Sequence, residues 1–161
     1  MITEAELPYL RRCIELAKEA LDSGDEPYGS ILVSGDGDVL SEDRNREITE
    51  GDATLHPEFE LARWAARNLN ADQRASATVF TSGEHCPMCS AAHGMVGVGR
   101  IVFASSSAQL GAWKAELGLA GGSIRSYPIV EIAPSVIVEG PVPGLDEEVH
   151  DLIRRHYSEI R

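Results

Sequence analysis

Cys86-Pro87-Met88-Cys89 and, upstream of it, His56-Pro57-Glu58 are the two segments around which this chain is arranged. Two thiolates at C-x-x-C spacing and one imidazole supply three ligands for a tetrahedral Zn²⁺ ion. Three protein ligands leave the fourth position to water or hydroxide, which is typical of a catalytic zinc rather than a structural one. The sequence therefore predicts one zinc ion per chain, held by His56, Cys86 and Cys89. A redox C-x-x-C or a four-ligand structural zinc are the alternatives, but neither needs His-x-Glu upstream.

Glu58 is the predicted catalytic residue. It follows the histidine by two positions, so it can reach a metal-bound water without being a ligand. In the helix predicted for residues 56–69 it shares a face with Ala62 and Ala65, and a carboxylate directed towards an apolar face needs a partner. We expect it to act as base and then as acid in proton transfer. The alternative is that its charge merely favours the helix N-terminus.

Composition narrows the class of protein. The chain has 161 residues, of which 43% are hydrophobic, and it contains no apolar run long enough to span a membrane. Cysteine usage fits a reducing compartment, so we expect a cytoplasmic protein without membrane contact. The 14 basic residues against 26 acidic ones give a net charge of −12, and the densest basic segment is only Arg154-Arg155. This acidity predicts that nucleic acid is not a partner.

Periodicity and turn signals predict an α/β fold. The pattern favours one domain with a mixed sheet, in which an antiparallel hairpin is followed by parallel strands and helices cover both faces. We predict helices at 3–23, 56–69, 87–96, 107–117 and 145–157, strands at 28–33, 39–45, 77–81, 100–104 and 129–132, a loop at 48–54 and an extended connector at 134–143.

These segments together resemble the cytidine deaminase-like superfamily, and most closely its branch of bacterial guanine deaminases and tRNA-adenosine deaminases. The resemblance covers about residues 5–117, leaving a C-terminal extension of about 118–161 within a single domain, 1–161. Asp52-Ala53-Thr54-Leu55-His56 resembles the family's D-P-T-A-H, and Thr81-Ser82-Gly83-Glu84 before Cys86 resembles its T-S-x-E-P-C. His85 departs from this pattern, since many relatives have proline there, and so does His93-Gly94-Met95.

The resemblance also implies substrate-binding residues. Asn45 matches an asparagine that binds the base in relatives, and Tyr28 stands at the start of the first strand, where the ring could stack. Leu55 could read the ring edge through its backbone, and Glu84 belongs to the second motif. Structural alternatives stay open: Asn45 as a strand-end residue, Glu84 as a helix cap and Tyr28 as part of the core.

The implied activity is zinc-dependent hydrolytic deamination of a small free nucleobase or similar amino-substituted heterocycle, with release of ammonia. The likeness favours a guanine-like base and implies a homodimer. A tRNA-adenosine deaminase is the second hypothesis. A non-catalytic, zinc-stabilised binding protein is the third, and Glu58 argues against it because a purely structural site would not need that carboxylate.

Overall fold

The computed structural model describes residues 1–119 and 121–159. Residues 120, 160 and 161 of the predicted C-terminal extension lie outside the described residues. A 3₁₀ turn at Glu4–Glu6 leads into the first helix. The elements then follow in the order α1 (Leu7–Asp22), β1 (Gly29–Val33), β2 (Val39–Arg44), α2 (Glu47–Glu50), α3 (Pro57–Asn68), α4 (Ala71–Ser76), β3 (Thr78–Gly83), α5 (Pro87–Val96), β4 (Arg100–Ser105), α6 (Ser107–Glu116), α7 (Ile129–Ile132), β5 (Ile137–Glu139) and α8 (Leu145–Glu159).

The strands form a mixed sheet in the order β2-β1-β3-β4-β5. The hairpin partner β2 and the inner strand β3 both run antiparallel to β1. Strand β4 runs parallel to β3, and β5 runs parallel to β4. Helix α5 is the crossover that joins the parallel pair β3 and β4, as parallel pairing requires. The predicted fold class is confirmed, and the carboxyl end of β3 leads directly into Cys86.

Alternate residues of the inner strands supply two separate cores. On β1, Ile31 and Val33 face the first core, while Leu32 faces the second, as the two-residue period of a strand requires. The first core is closed by α1 and α8, whose apolar stripes pack against the sheet and against each other. The second core is covered by α3 and α7. Among the described residues, no helix combines the length and apolarity needed to cross a membrane.

Gly29 shows how closely α1 lies on the sheet. A Cβ atom at this position would stand 2.4 Å from Leu16 Cβ and 2.5 Å from the Cys13 carbonyl oxygen. Both distances are far inside van der Waals contact, so only glycine permits this approach of helix and strand. Any larger residue here would push α1 away from β1.

The sequence-based assignment is wrong between α6 and α8. Residues 129–132 form the short helix α7 instead of a strand, and the fifth strand lies at 137–139, inside the predicted connector. The amide of Ile129 donates to Glu84 Oε1 at 3.0 Å, which satisfies a first-turn amide of α7. This contact outweighs the β-propensity of the apolar, β-branched residues in this segment. The short helices α2, in a segment predicted mainly as loop, and α4 were also not predicted.

Arg100 on the inner strand β4 links the N-terminal turn to β5, the neighbouring edge strand. Its guanidinium pairs with Glu6 and with Glu139, and its Nε donates to Glu139 Oε2 at 2.7 Å. The hydrogen bond from Arg100 lowers the pKa of Glu6 from 4.5 to about 2. Because the folded state favours the ionised carboxylate, this stabilisation is fully present above about pH 4.5 and is lost as the pH falls towards 2.

We expect Glu6→Gln to lower the free energy of unfolding near pH 7 by about 1 to 3 kcal/mol. The difference between variant and wild type should shrink as the pH falls from about 4.5 to about 2, as urea titrations at several pH values would show. Comparing two proteins removes the contribution of zinc-ligand protonation, which is common to both. Glu4→Gln is the control, since Glu4 is exposed and has no ion pair within residues 1–119 and 121–159. An equal loss of stability in both variants would contradict the prediction.

Candidate metal centre and active site

The three predicted zinc ligands meet where two adjacent helices begin. His56 is the N-cap of α3, Cys86 is the N-cap of α5, and Cys89 lies in the first turn of α5. Proline follows both caps, in a position where its missing N–H leaves no hydrogen bond unmade. Helices α3 and α5 pack against each other, and this packing brings the ligands of separate elements to one place.

The ligand atoms have the spacing that a tetrahedral zinc ion needs. The ligand atoms of His56, Cys86 and Cys89 all lie within 4.8 Å of one another, and Cys86 Sγ lies 3.6 Å from His56 Nδ1. Zn–N and Zn–S bonds of ordinary length place tetrahedral ligand atoms about 3.6 to 3.8 Å apart. Two thiols and one imidazole therefore fit zinc in chemistry as well as in geometry.

In the absence of a metal ion, hydrogen bonds between the ligand side chains shift the pKa values of all three. A hydrogen bond from Cys89 lowers the pKa of the Cys86 thiol to about 4, and the same bond raises that of Cys89 well above its ordinary value. Burial lowers the pKa of His56, but its hydrogen bonds to Cys86 and Glu47 outweigh burial and raise it to about 11. Zinc takes thiolates and a neutral ring, so metal binding must release these protons.

Glu47 binds the ring nitrogen of His56 that points away from Cys86. Since Nδ1 of His56 faces Cys86, the other ring nitrogen, Nε2, is free to donate, and it lies 3.0 Å from Glu47 Oε1. Asn45 supports this carboxylate through its amide nitrogen, 2.6 Å from Glu47 Oε1, and accepts from the Glu47 amide at 3.0 Å. A carboxylate behind a metal-binding histidine fixes the ring orientation and tautomer. Sequence reasoning missed Glu47, because no spacing rule marks it.

Glu58 lies beside the metal-ligand cluster without belonging to it. Its side chain is buried, with Oε1 3.1 Å from Thr81 Oγ1 and Oε2 3.9 Å from Cys89 Sγ. The Thr81 hydroxyl also lies 3.0 Å from the Gly83 carbonyl oxygen, so its single hydrogen serves one of two acceptors. Burial raises the pKa of Glu58 above its ordinary value. The site thus contains one carboxyl group that can hold a proton next to the place where three ligands converge.

The four predicted substrate-binding residues do not share one surface. Asn45 is fully buried and contacts Glu47, the carboxylate that binds His56. Tyr28 packs against the first core and against Gly83. Leu55 is half-buried directly before His56, and its carbonyl accepts from Arg46. Substrate contacts for these three residues stay predictions.

Glu84 accepts hydrogen bonds from the N-termini of two helices, α6 and α7. Its Oε2 accepts from the Ser107 amide at 2.8 Å and from the Ser107 hydroxyl at 2.9 Å, at the start of α6. Its Oε1 accepts from the Ile129 amide at the start of α7. With both oxygens bound within the protein, Glu84 ties two helix N-termini to the segment that precedes Cys86. A substrate contact of Glu84 stays a prediction.

A cavity opens next to the metal-ligand cluster. It has a volume of about 750 Å³, within the range of small-molecule sites, and Cys86 and Pro87 form part of its wall. Apolar side chains line much of it, among them Leu110 and Ile124. Lys114 and Arg125 also line it, and no carboxylate in the described part of the chain pairs with either. The cavity wall therefore contains one of the three ligands, Cys86, together with two cations.

These features are those of a family of zinc-binding deaminases. The family described as the cytidine and deoxycytidylate deaminase zinc-binding region matches residues 3–105, and the chain belongs to it. The three clustered ligands and this membership confirm zinc as the cofactor. A hydrolytic deaminase is supported at the level of the family.

Several named proteins are similar to this chain. A probable cytosine deaminase of Schizosaccharomyces pombe is 32% identical over 109 residues, which are 68% of this chain and 65% of that protein. The guanine deaminase of Bacillus subtilis is 37% identical over 82 residues, covering 50% of this chain and 52% of that protein. The tRNA-specific adenosine deaminase of Haemophilus influenzae is 31% identical over 103 residues, covering 64% and 60%. The chain thus spans less than two thirds of the length of each of these relatives.

Solved structures share the fold. A guanine deaminase from Nitrosomonas europaea superposes with a TM-score of 0.72 at 17% identity, over 93% of this chain and 83% of that one. A tRNA:A34 deaminase that edits A to I at the wobble position superposes with a TM-score of 0.69 at 21% identity, over 91% and 99%. Both comparisons support the predicted cytidine deaminase-like fold.

The prediction that nucleic acid is not a partner is wrong. Similar proteins include tRNA-specific adenosine deaminases from Haemophilus influenzae and Bacillus subtilis. The physical error lies in using the net charge of the whole chain, because a ligand responds to the local field of the groove it enters. Lys114 and Arg125 lie outside the densest basic segment of the sequence, Arg154-Arg155. Both nevertheless line the cavity beside Cys86, where they add positive charge locally.

Proposed function

We propose that this chain catalyses the hydrolytic deamination of an amino-substituted nucleobase ring, with a guanine-like base as the leading substrate. The observation that carries the proposal is the buried carboxyl group of Glu58, which lies 3.9 Å from Cys89 Sγ and outside the set of three ligands. A structural zinc site has no use for such a group. A hydrolytic deaminase needs one residue that can both take and return a proton.

His56, Cys86 and Cys89 would hold the zinc ion, which would supply a hydroxide nucleophile near neutral pH. Glu58 performs the proton transfers of the proposal. Thr81 contacts Oε1, whereas Oε2 lies 3.9 Å from Cys89 Sγ, so we assign proton exchange to Oε2, the oxygen on the side of the ligand cluster.

Oε2 first takes one proton from the attacking water and delivers it to a ring nitrogen, which makes the amino-bearing carbon electrophilic. After the remaining hydroxide has bonded to that carbon, Oε2 takes the second proton of the former water and delivers it to the amino group, which leaves as ammonia while the carbon keeps the oxygen as a carbonyl. The position of Glu58 favours this role, because its carboxyl group lies beside the three ligands without being one of them, and is therefore free to take and return a proton.

Guanine-like bases lead the proposal for two reasons. The pattern at Tyr28, Asn45 and Thr81 to Glu84 resembles that of guanine deaminases, and the Bacillus subtilis guanine deaminase is 37% identical over 82 residues. A deaminase of a tRNA adenosine is the second candidate. The two cations of the cavity, Lys114 and Arg125, favour it because they can contact phosphate.

Ammonia release from a panel of substrates tests the proposal. The zinc-loaded protein is incubated with guanine, cytosine, adenine, their nucleosides and amino-triazines, and separately with tRNA, whose inosine content is then measured. Release from guanine supports the leading candidate. Release from another base alone corrects the substrate, inosine in tRNA alone favours the second candidate, and no product from any substrate refutes deaminase activity.

The two cavity cations separate the candidates further. We expect the double variant Lys114→Gln/Arg125→Gln to bind tRNA more weakly and to lower the slope of log affinity against log salt by about 1 for each phosphate that the variant no longer neutralises. Guanine turnover should change by less than about twofold, since a neutral base carries no phosphate. Fluorescence anisotropy with labelled tRNA at several salt concentrations measures the slope.

Arg154→Gln/Arg155→Gln is the matched control, because it removes two cations that do not line this cavity. If the control lowers the slope as much as the cavity variant does, the cavity is not the phosphate-binding surface. If wild type does not bind tRNA at physiological salt, the second candidate fails.

A further inference from the structure

Two buried histidines next to the site have no role in the proposed chemistry. His85 lies between β3 and Cys86 and is 1% exposed, and His93 lies on α5, one turn after Cys89, and is 0% exposed. Three of their four ring nitrogens, both of His85 and Nδ1 of His93, have no hydrogen-bond partner among the described residues. Buried polar atoms are nearly always paired, so a cluster of three unpaired nitrogens needs an explanation.

The fourth nitrogen makes a well-defined contact. His93 Nε2 lies 2.8 Å from the backbone carbonyl oxygen of Glu58. A carbonyl oxygen only accepts, so Nε2 carries the hydrogen and donates it, which leaves His93 Nδ1 as an acceptor. The bond joins α5, which carries Cys89, to the first turn of α3, which carries Glu58. It therefore spans the two elements whose relative position sets the site.

The ring of His85 can supply the hydrogen-bond donor that His93 Nδ1 lacks. A neutral imidazole has one N–H donor, and both nitrogens of His85 are unpaired within the described chain. The two ring centroids are 4.7 Å apart, with 66° between the ring planes, so an unpaired donor lies beside an unpaired acceptor. A rotation of the His85 ring towards His93 Nδ1 would complete a chain of two hydrogen bonds that ends at the Glu58 carbonyl.

We propose that His85 and His93 are a positioning pair, in which His85 donates a hydrogen bond to His93 Nδ1 and His93 Nε2 donates one to the Glu58 carbonyl oxygen. The two bonds hold helix α3, which carries Glu58, in a fixed position relative to the residues around Cys86. The pair rests on the proposed function, because Glu58 is the group whose placement matters. Successive hydrogen bonds strengthen one another in a low-dielectric interior. A misplacement of about 1 Å at a reacting group costs up to about a hundredfold in rate.

Three variants of the zinc-loaded protein separate positioning from packing. His93→Leu removes the donor, His93→Gln keeps an amide N–H at a similar reach, and His85→Phe keeps an aromatic ring without its nitrogens. Ile101→Val is the control, because Ile101 is a fully buried core residue on β4 without a polar side-chain group. The measurements are zinc per chain, melting temperature, kcat and KM for the base that wild type deaminates, and the ¹⁵N NMR signals of the histidine rings.

We expect His93→Leu to keep its zinc and its KM within about twofold, while kcat falls about tenfold to a hundredfold. His93→Gln should recover most of that loss. His85→Phe should lower kcat by a smaller factor and shift the Nδ1 signal of His93, which in wild type should show the tautomer with hydrogen on Nε2. Ile101→Val should lower the melting temperature and leave kcat unchanged.

The pair is refuted as a positioning device if His93→Leu keeps the wild-type kcat, if it loses zinc in proportion to kcat, or if His93→Gln gives no recovery. Hydrogen on Nδ1 of His93, or a His93 signal that does not respond to His85→Phe, refutes the hydrogen-bond chain. If wild type deaminates no substrate, the proposed function fails on its own, and the NMR signals still decide whether the chain of hydrogen bonds exists.

Discussion

Replacing Glu58 by glutamine is expected to lower kcat by at least about a hundredfold, which is the low end for a positioned acid–base group. The amide has nearly the shape of the carboxyl group and can keep the contact with Thr81, but it cannot take up a proton at Oε2. Zinc content should not change, because Glu58 is outside the three-ligand cluster. The melting temperature should stay close to that of wild type, because the amide fills the same space and keeps the contact with Thr81.

Glu60→Gln is the matched control for this prediction. Glu60 lies in the same first turn of α3, where it pairs with Arg63 at 2.7 Å and is not one of the clustered ligands. We expect its kcat to stay within about twofold of wild type, because removal of a surface ion pair changes little. Ammonia release by Glu58→Gln at a rate near that of wild type would remove Glu58 from the mechanism.

Replacing Cys89 by serine is expected to remove both zinc and turnover. A serine hydroxyl stays protonated near neutral pH, so only His56 and Cys86 would remain to hold the metal. A ligand present at a thousandfold excess over its Kd stabilises a fold by about 4 kcal/mol, and a variant that cannot bind zinc forgoes that stabilisation. Metal analysis after dialysis should give almost no zinc, and thermal unfolding should occur at a lower temperature.

The third cysteine provides the control for this loss of zinc. Cys13 is fully buried in α1 and belongs to the first core, so Cys13→Ala should lower the melting temperature through packing alone. It should keep one zinc per chain. Full zinc content in Cys89→Ser, or loss of zinc in Cys13→Ala, would contradict the assignment of the ligands.

The metal ligands could be predicted because local structure places them. A helix start fixes where an N-cap and a first-turn residue lie, so the spacing of Cys86 and Cys89 already sets the geometry of two ligands. Glu58 followed from the same reasoning on α3. Glu47 and His93 could not be found this way, because their contacts depend on how α2 and α5 pack against α3, and the sequence contains no short-range signal for that packing.

The fold was predicted well where apolar periodicity is long and poorly where elements are short. Helices α1, α3 and α8 have such periodicity, while the inner strands were recognised as short apolar runs. Helix α7 and strand β5 contain four and three residues, and their conformation depends on Glu84 and on pairing with β4. The short helix α4 has a readable capping box, in which Asn70 accepts from the Gln73 amide at 2.9 Å, but such a signal is invisible to apolar periodicity.

The packing of α1 against α8 has a consequence for the order of folding. Helix α1 is synthesised before the other described α-helices and α8 after them, and residues of both helices complete the first core. During synthesis the apolar stripe of α1 therefore remains without its final cover until the segment from 145 onwards has left the ribosome. The second core, which supports the metal ligands, is built from residues made earlier, between Leu32 and Val138. Contacts between segments so distant in sequence form slowly. We therefore expect the second core to form first, and the packing of α1 against α8 to be the final, rate-limiting step of folding.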